Sequence, residues 1–249
     1  MNIILKDRDW SHPLEKLGKK FDECFDNITS EKFHIARGDF LIEWRYLEIL
    51  WGRLQEDFRI FYENQSQVKE GTVKNFKDNV RIGRFLMCSF DCIHLDTNCF
   101  LLNTRILMDR VAHLTTFFWE KISTKKMIRK DDKKKFYSFE KLRNAIKKLS
   151  EDEIIDKDYV EYVRLKTDWF ENDLRTPRNE LVVHRNESHY VEAFKPDSGT
   201  VLKGRVRFKD KDGNVVVEYD MRQIPDFNEL MDDILAFLKF FDEHFSKMM

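Results

Sequence analysis

The chain has 249 residues, which is enough for one large domain with a sizeable core. Hydrophobic residues make up 42% of it, while Gly and Pro number only 8 and 4, so the composition favours long helices and excludes a turn-rich all-β fold. Lys and Arg total 44 against 45 Asp and Glu, and this balance excludes a global attraction to nucleic acid or to an anionic membrane. Any nucleic-acid contact therefore has to be local.

Two helices are predicted in the N-terminal quarter of the chain. The first covers residues 12–28 and includes Ile28 on its apolar face. The second runs from Asp39 to about Tyr62, and residues 64–71 read as a polar break after it. Large apolar side chains at helical spacing are usually core, so we interpret the stripe of the second helix as core rather than as a base-stacking surface. Its members are Phe40, Leu41, Trp44, Leu47, Trp51, Leu54, Phe58 and Phe61.

Residues 72–123 predict a further long helical region with one break near 91–98. Its inward face is predicted to include Leu95, Cys99, Leu102 and Ile106. A polar seam on the same helix has two interpretations: Arg105 and Asp109 form an ordinary surface pair one turn apart, or Asp109 orients a guanidinium in a functional cleft. The cysteines of this region have a helical spacing rather than that of a zinc knuckle, so no metal is predicted.

Short helices are predicted on either side of residue 150. Residues 125–135 form a strongly basic connector, either a solvated loop or a local phosphate-binding patch. Residues 138–149 then predict a helix capped by Ser138, and residues 158–173 predict another that carries Leu165 inward.

The next stretch, residues 176–188, reads T-P-R-N-E-L-V-V-H-R-N-E-S. Thr176 and Pro177 are typical of a helix start, which places Arg178 and Asn179 at the positive end of a helix dipole, where anions bind. The six residues from Arg178 to His184 rotate by about 240°, so the two side chains do not stack on one face. Either the long arginine swings towards the histidine, or a second copy of the chain brings its own pair to the same cleft.

The hydrophobic period changes from helical to two after residue 188. Residues 189–194, 201–208 and 215–219 predict strands, so residues 189–221 would be a small antiparallel β-hairpin insertion. The basic face of the second strand is either solvated and balanced across the sheet, or in contact with an RNA backbone. An amphipathic helix over 226–245 ends the chain, and no linker demands more than one domain over 1–249.

The run from Arg178 through Asn179 to His184 resembles the motif of HEPN-domain proteins, in which an arginine and a polar residue precede a histidine on a late helix. The resemblance implies an up-and-down helical bundle, here with the hairpin inserted near its C-terminus. It also implies metal-independent RNA cleavage from a symmetric dimer, often within toxin–antitoxin or phage-defence systems. Arg178, Asn179 and His184 would be catalytic, and Arg185 and His189 would help to bind phosphate.

Several expectations accompany that function. The partners would be an RNA substrate, a second copy of the chain, and an antitoxin or a nucleotidyltransferase; no cofactor and no membrane contact are expected. The N-terminus does not resemble a secretory signal, so a cytoplasmic location is predicted. The alternative is a non-catalytic HEPN-like scaffold or a module that binds nucleic acid or protein.

Overall fold

The computed structural model describes residues 5–11, 13–24, 27–69, 76–125, 136, 138–175, 190–191, 205–209, 215–220 and 226–249. Within these ranges the chain is a mainly α-helical bundle, which confirms the predicted fold class at that level. Individual elements differ from the sequence-based expectations in several places.

The N-terminal helices have different bounds from those predicted. Helix α1 spans Glu15–Cys24 and helix α2 spans Asn27–Lys69. The prediction of a first helix extending to Ile28 is wrong, because Ile28 lies on α2 with its side chain exposed. The predicted break after residue 64 is also wrong as far as Lys69. Polar residues alone do not end a helix, and this stretch contains no Gly or Pro before Gly71.

The inner face of α2 is the best-predicted part of the molecule. Seven members of its predicted stripe are buried in the core, and Leu41 packs against them half-buried. The buried members are Phe40, Trp44, Leu47, Trp51, Leu54, Phe58 and Phe61.

Helix α3 (Phe76–Thr115) runs antiparallel to α2 and continues without the predicted break near 91–98. A 3₁₀ turn (Thr116–Phe118) and the short helix α4 (Trp119–Ile122) follow it. The prediction that Leu95 and Leu102 face inward is wrong, since both side chains are about half exposed. The buried face of α3 instead includes Ile93, Phe100, Leu107, Val111 and Leu114.

The middle of the chain forms shorter helices. Helix α5 (Phe139–Lys147) begins at Ser138, whose side chain accepts a hydrogen bond from the backbone N–H of Lys141, as predicted for a cap. After a 3₁₀ turn (Glu151–Glu153), helix α6 spans Lys157–Lys166 and is capped by Asp156. Leu165 is exposed rather than inward.

The described C-terminal part contains short strands and one long helix. The strands are β1 (Tyr190–Val191), β2 (Arg205–Lys209) and β3 (Val215–Asp220), paired antiparallel in that order. The residues that connect them lie outside the described ranges, so the hairpin insertion stays a prediction. Helix α7 (Phe227–Met248) is capped by Asp226 and buries the predicted inward face, which includes Phe227, Leu230, Ile234, Phe237, Leu238 and Phe241.

Phenylalanines fill the centre of the bundle. Phe21 of α1 stacks on Phe33 of α2 with 3.8 Å between ring centroids, and Phe118 stacks on Phe245 of α7 at 4.3 Å. The first contact joins consecutive helices, and the second joins the middle of the chain to its last helix. The abundance of Phe therefore contributes directly to the packing of the bundle.

Candidate functional site

The residues of the predicted site lie outside the described ranges. Arg178, Asn179, His184, Arg185 and His189 all fall within residues 176–189, so their roles stay predictions. The same holds for most of the basic connector at 125–135. What the structure does describe is the segment that leads directly into the motif, and the side chains that hold it.

That segment is a π-helix, Phe170–Arg175, which ends one residue before Thr176. Helix α6 ends at Lys166 and is followed by Thr167, whose hydroxyl donates to the carbonyl of Val163 at 2.6 Å. Phe170 and Leu174 are fully buried and fix the π-helix to the core. Single π-helical turns occur often at functional sites, because they shift the chain by one residue and redirect the segment after them.

A cluster of charged side chains surrounds the Phe170 ring, and we call it the Phe170 cluster. The guanidinium carbon of Arg105 lies 4.6 Å from the centroid of the ring, and that of Arg143 lies 5.6 Å from it. Both contacts are within the range of cation–π attraction. The remaining members are Asp109, Glu140, Asp168, Glu171 and Arg175.

Arg143 connects helix α5 to the end of helix α6. Its Nε donates to the Thr167 hydroxyl at 2.8 Å, and its Nη2 donates to the Asp168 carboxylate at 2.9 Å. Burial lowers the pKa of the Arg143 guanidinium, and the carboxylates of Asp168 and Glu171 oppose that shift. The arginine thus holds the turn from which the π-helix begins.

Glu140 connects Arg105 to the last residue of the π-helix. One of its oxygens lies 3.2 Å from Nη2 of Arg175, and the other lies 3.7 Å from Nη2 of Arg105. Arg175 also donates to Glu171, one turn earlier, at 2.6 Å. The last residue of the π-helix, just before the motif, is therefore tied to helix α5 and, through Glu140, to helix α3.

The sequence left two interpretations of Arg105 and Asp109 open, and the structure decides one of them. Their atoms Nε and Oδ1 lie 3.4 Å apart, but Arg105 is buried, so the interpretation as an ordinary surface pair is wrong. The same Asp109 oxygen accepts the backbone N–H of Phe139 at 2.8 Å, which fixes the start of helix α5. The other interpretation, that Asp109 orients the guanidinium of Arg178, stays a prediction.

The charges of the Phe170 cluster nearly cancel. Three guanidinium groups face four carboxylates, so the cluster by itself does not favour an anion. Within the cluster, one arginine nitrogen is left without a hydrogen bond: Nη1 of Arg105 is buried and has no hydrogen-bond partner among the described residues. The arrangement is suited to positioning the chain at Thr176. Nη1 of Arg105 and, just before the π-helix, Nε1 of Trp169 are buried donors beside the segment that enters the motif.

Two other groups of titratable side chains lie outside the Phe170 cluster. Between α2 and α3, Asp57 and Asp96 form a carboxyl pair in which Arg53 binds Asp96, with Nη2 and Oδ1 2.7 Å apart. Burial and the neighbouring Asp96 raise the pKa of Asp57 to about 6. In α7, His244 Nε2 lies 2.6 Å from the Asp156 carboxylate, which also caps helix α6.

The sequence did not predict the contacts of the Phe170 cluster or of the carboxyl pair, because the residues that meet are distant in the chain. Arg143 and Thr167 are 24 residues apart, and Arg53 and Asp96 are 43 apart. Local spacing indicates two contacts of the Phe170 cluster, Arg105 with Asp109 and Glu171 with Arg175, each pair four residues apart.

The described residues offer neither a metal site nor a membrane-spanning helix. They contain no group of three or more His, Cys, Asp or Glu side chains that could hold a metal ion, and Cys24 and Cys99 are free thiols. Among the same residues, no helix combines the length and the apolar character that crossing a membrane requires.

Comparison of the chain with protein-family models, with curated proteins and with solved structures finds no match.

Proposed function

We propose that this chain is a metal-independent endoribonuclease of the HEPN type, with Arg178 and His184 acting at a dimer cleft. The observation that carries the proposal is the place of the motif in the chain. Arg178 comes three residues after Arg175, the end of a π-helix that the Phe170 cluster anchors within a mainly helical bundle. A functional loop or helix start needs a rigid support of this kind, because misplacement by about 1 Å is costly to catalysis.

The proposed chemistry uses the ribose of the substrate as the nucleophile. His184 of one copy takes the proton from the 2′-hydroxyl, whose oxygen attacks the adjacent phosphorus. The bond from phosphorus to the 5′-oxygen breaks, and a histidine protonates that leaving oxygen. The products are a 2′,3′-cyclic phosphate and a 5′-hydroxyl end, so no water and no redox partner are consumed.

The remaining motif residues hold the phosphate. Arg178 donates two parallel hydrogen bonds to the non-bridging oxygens and stabilises the charge that grows on them. Asn179 orients the phosphate or His184, while Arg185 and His189 contact the neighbouring backbone. One His184 cannot act as base and acid at once, so the second copy of the chain supplies the other imidazole.

The test is cleavage of RNA by the purified chain in EDTA. Wild type is expected to give 2′,3′-cyclic phosphate ends, and His184→Ala and Arg178→Ala are each expected to reduce the rate at least about 100-fold. His34→Ala is the matched control, since it removes a histidine from helix α2, outside the motif. All variants are compared at equal helicity by circular dichroism.

Two results would overturn the proposal. One is the absence of cleavage by wild type on tRNA, rRNA and mRNA substrates. The other is EDTA-resistant cleavage that His184→Ala leaves intact. Either would favour the scaffold alternative, in which the bundle binds an antitoxin, a nucleotidyltransferase or nucleic acid without cutting it.

A further inference from the structure

The outward face of helix α2 carries isoleucines at a strict seven-residue interval. They are Ile28, Ile35, Ile42 and Ile49, exposed by 66%, 62%, 52% and 50%. Tyr46 lies between the last two and is 52% exposed. Four isoleucines at this spacing extend about 30 Å along the helix, and a seven-residue apolar repeat is the spacing with which one helix packs along another. The opposite face of α2 already fills the core, so the repeat is a second apolar stripe.

Helix α3 continues this apolar surface. Leu95 and Leu102, again seven residues apart, are 55% and 43% exposed, and Cys99 and Ile106 between and after them are half-buried. These positions follow a three- and four-residue alternation, which makes a continuous stripe along one side of a helix.

Contacts between the two helices place both stripes on one side of the α2–α3 pair. Asn103 donates to the carbonyl of Glu43 at 2.9 Å, and Arg53 binds Asp96. At about 100° per residue, Glu43, Asp96 and Asn103 lie between the buried face and the exposed stripe of their helices. Arg53 lies at the edge of the stripe itself, one turn after Ile49. The same contacts fix how the two antiparallel helices are aligned along their axes. Tyr46 of α2 therefore lies at the same height as Leu102 of α3. We call this combined surface the α2–α3 outer face.

The α2–α3 outer face is large enough for a stable interface. Its seven most exposed side chains each leave about half of roughly 200 Å² uncovered, which gives on the order of 600–700 Å² of apolar surface. A standard interface covers about 800 Å² per partner, of which somewhat more than half is apolar. The largest apolar patch of a typical monomer is about 300–600 Å², so this face is at or above the upper end of that range.

The charges at the rim of this face favour an identical partner. Arg45 and Arg110 have Glu48 and Asp39 within 4 Å, and Arg53 extends from the rim to the buried Asp96. The rim is therefore neutral, with both signs interspersed. A rim of one sign would repel its own copy and select an oppositely charged protein, whereas a mixed rim around an apolar centre is complementary to itself.

We propose that the α2–α3 outer face is the surface through which two copies of this chain associate, with the isoleucine repeats of both copies packed along each other. The arrangement joins two helical pairs into a four-helix interface around a two-fold axis. The inference does not rest on ribonuclease activity, since it follows from exposure, spacing and charge alone. It identifies a dimer surface on helices α2 and α3, which differs from the motif helix around which the cleft was predicted.

Sedimentation velocity of the full chain over a concentration series tests this inference. Wild type is expected to be dimeric, while a variant with Ile35, Ile42 and Ile49 all changed to Glu is expected to dimerise at least about 100-fold more weakly. The same three changes to Lys should have the same effect. An equimolar mixture of the Glu and Lys variants is expected to recover a dimer, because oppositely charged stripes attract whereas like ones repel.

Leu165→Glu is the matched control, since it places the same charge at a 64% exposed leucine on helix α6. This variant should dimerise like wild type.

A monomeric wild type up to about 100 μM would overturn the inference and would indicate that the stripe is covered by another segment of this chain or by a different protein. A triple Glu variant that remains as dimeric as wild type would also overturn it, since the copies would then meet elsewhere. The dimer of His184→Ala, measured alongside, is expected to be intact, so loss of cleavage and loss of association are distinguished.

Discussion

Two groups of charged side chains in this bundle are arranged in opposite ways. In the Phe170 cluster, guanidinium groups and carboxylates alternate around an aromatic ring, and Arg143 and Arg175 each have a partner of opposite sign within 3.2 Å. In the carboxyl pair, Asp57 and Asp96 have the same sign and share one arginine. In the first arrangement each carboxylate has an arginine beside it. In the second, burial and the neighbouring Asp96 raise the pKa of Asp57 to about 6.

The comparison teaches which part of the molecule responds to pH. In a cluster of alternating signs, each charge is offset by a neighbour of opposite sign. A pair of like charges contributes stability that depends on whether the shared proton is present. The segment that leads to Thr176 is held by the first kind. The α2–α3 contact is held in part by the second.

Removing the ring at the centre of the Phe170 cluster should have the largest effect. Phe170 is fully buried, so Phe170→Ala is expected to lower the free energy of unfolding by about 4 kcal/mol, through lost burial, a cavity and two lost cation–π contacts. Urea denaturation measures it. Phe240→Ala, at a half-buried ring that stacks on Tyr162, is the comparison and should cost about half as much. A loss below about 1.5 kcal/mol for Phe170→Ala would show that the cluster does not depend on the ring.

The sequence predicts which side chains form the core better than it predicts which charged side chains contact each other. The three- and four-residue spacing of Trp44, Leu47 and Trp51 predicts one buried face, and that face is buried. The same kind of spacing assigned Ile28, Leu95 and Leu102 inward, where the structure exposes them. Periodicity shows that a helix has an apolar stripe, but it does not show which stripe meets the core when a helix has two.

The polar part of the candidate site could not be predicted for a different reason. The contacts of Arg143 with Thr167 and of Glu140 with Arg175 join elements through tertiary packing, and no local pattern encodes them. The turn at Thr167 and the π-helix after it also have no sequence signature that differs from that of an ordinary helix. The motif itself rests on spacing alone, since residues 176–189 lie outside the described ranges.

Replacing the best-connected guanidinium tests whether alternating charges stabilise the fold. Arg143→Met is expected to lower the free energy of unfolding by about 2 kcal/mol, because Thr167 and Asp168 lose a shared donor and Phe170 loses a cation. Arg143→Lys keeps the charge but not the two-pronged geometry, and it should lose about half as much. A Met variant as stable as wild type would mean that the desolvation of the guanidinium cancels its contacts.

The carboxyl pair predicts a change of stability with pH. Asp57 has a pKa of about 6 in the folded chain against an ordinary value of 3.8, so the folded state binds more protons between these limits. Stability from this group is therefore fully present below about pH 4 and is lost as pH rises to about 6. Asp57→Asn removes this loss of stability with rising pH, because the uncharged amide does not titrate and can donate a hydrogen bond to Asp96. Above pH 6 the variant should gain on the order of 1 kcal/mol after solvent screening is allowed for.

The measurement is urea denaturation at intervals from pH 4 to pH 7, with Glu31→Gln as the control at an exposed carboxylate of the same helix. The control should retain the wild-type slope. If Asp57→Asn retains it as well, the two carboxyl groups do not share a proton, and the contrast with the Phe170 cluster disappears.

The smallest expected effect concerns the link between the Phe170 cluster and the motif. Glu140→Gln keeps the size of the side chain but removes the charge shared by Arg105 and Arg175, and because the site is about one-third exposed the cost should be about 0.5 kcal/mol. Its local effect is expected to be larger than its global one: amide hydrogen exchange at Glu171, Leu174 and Arg175 should accelerate, while exchange in α2 is unchanged. Glu161→Gln, at an exposed position on helix α6, should leave both unaffected. If amide exchange in the π-helix of the Glu140 variant is unchanged, the burial of Phe170 and Leu174 alone holds the π-helix. The carboxylates of the cluster would then offset the charge of the arginines without positioning the motif.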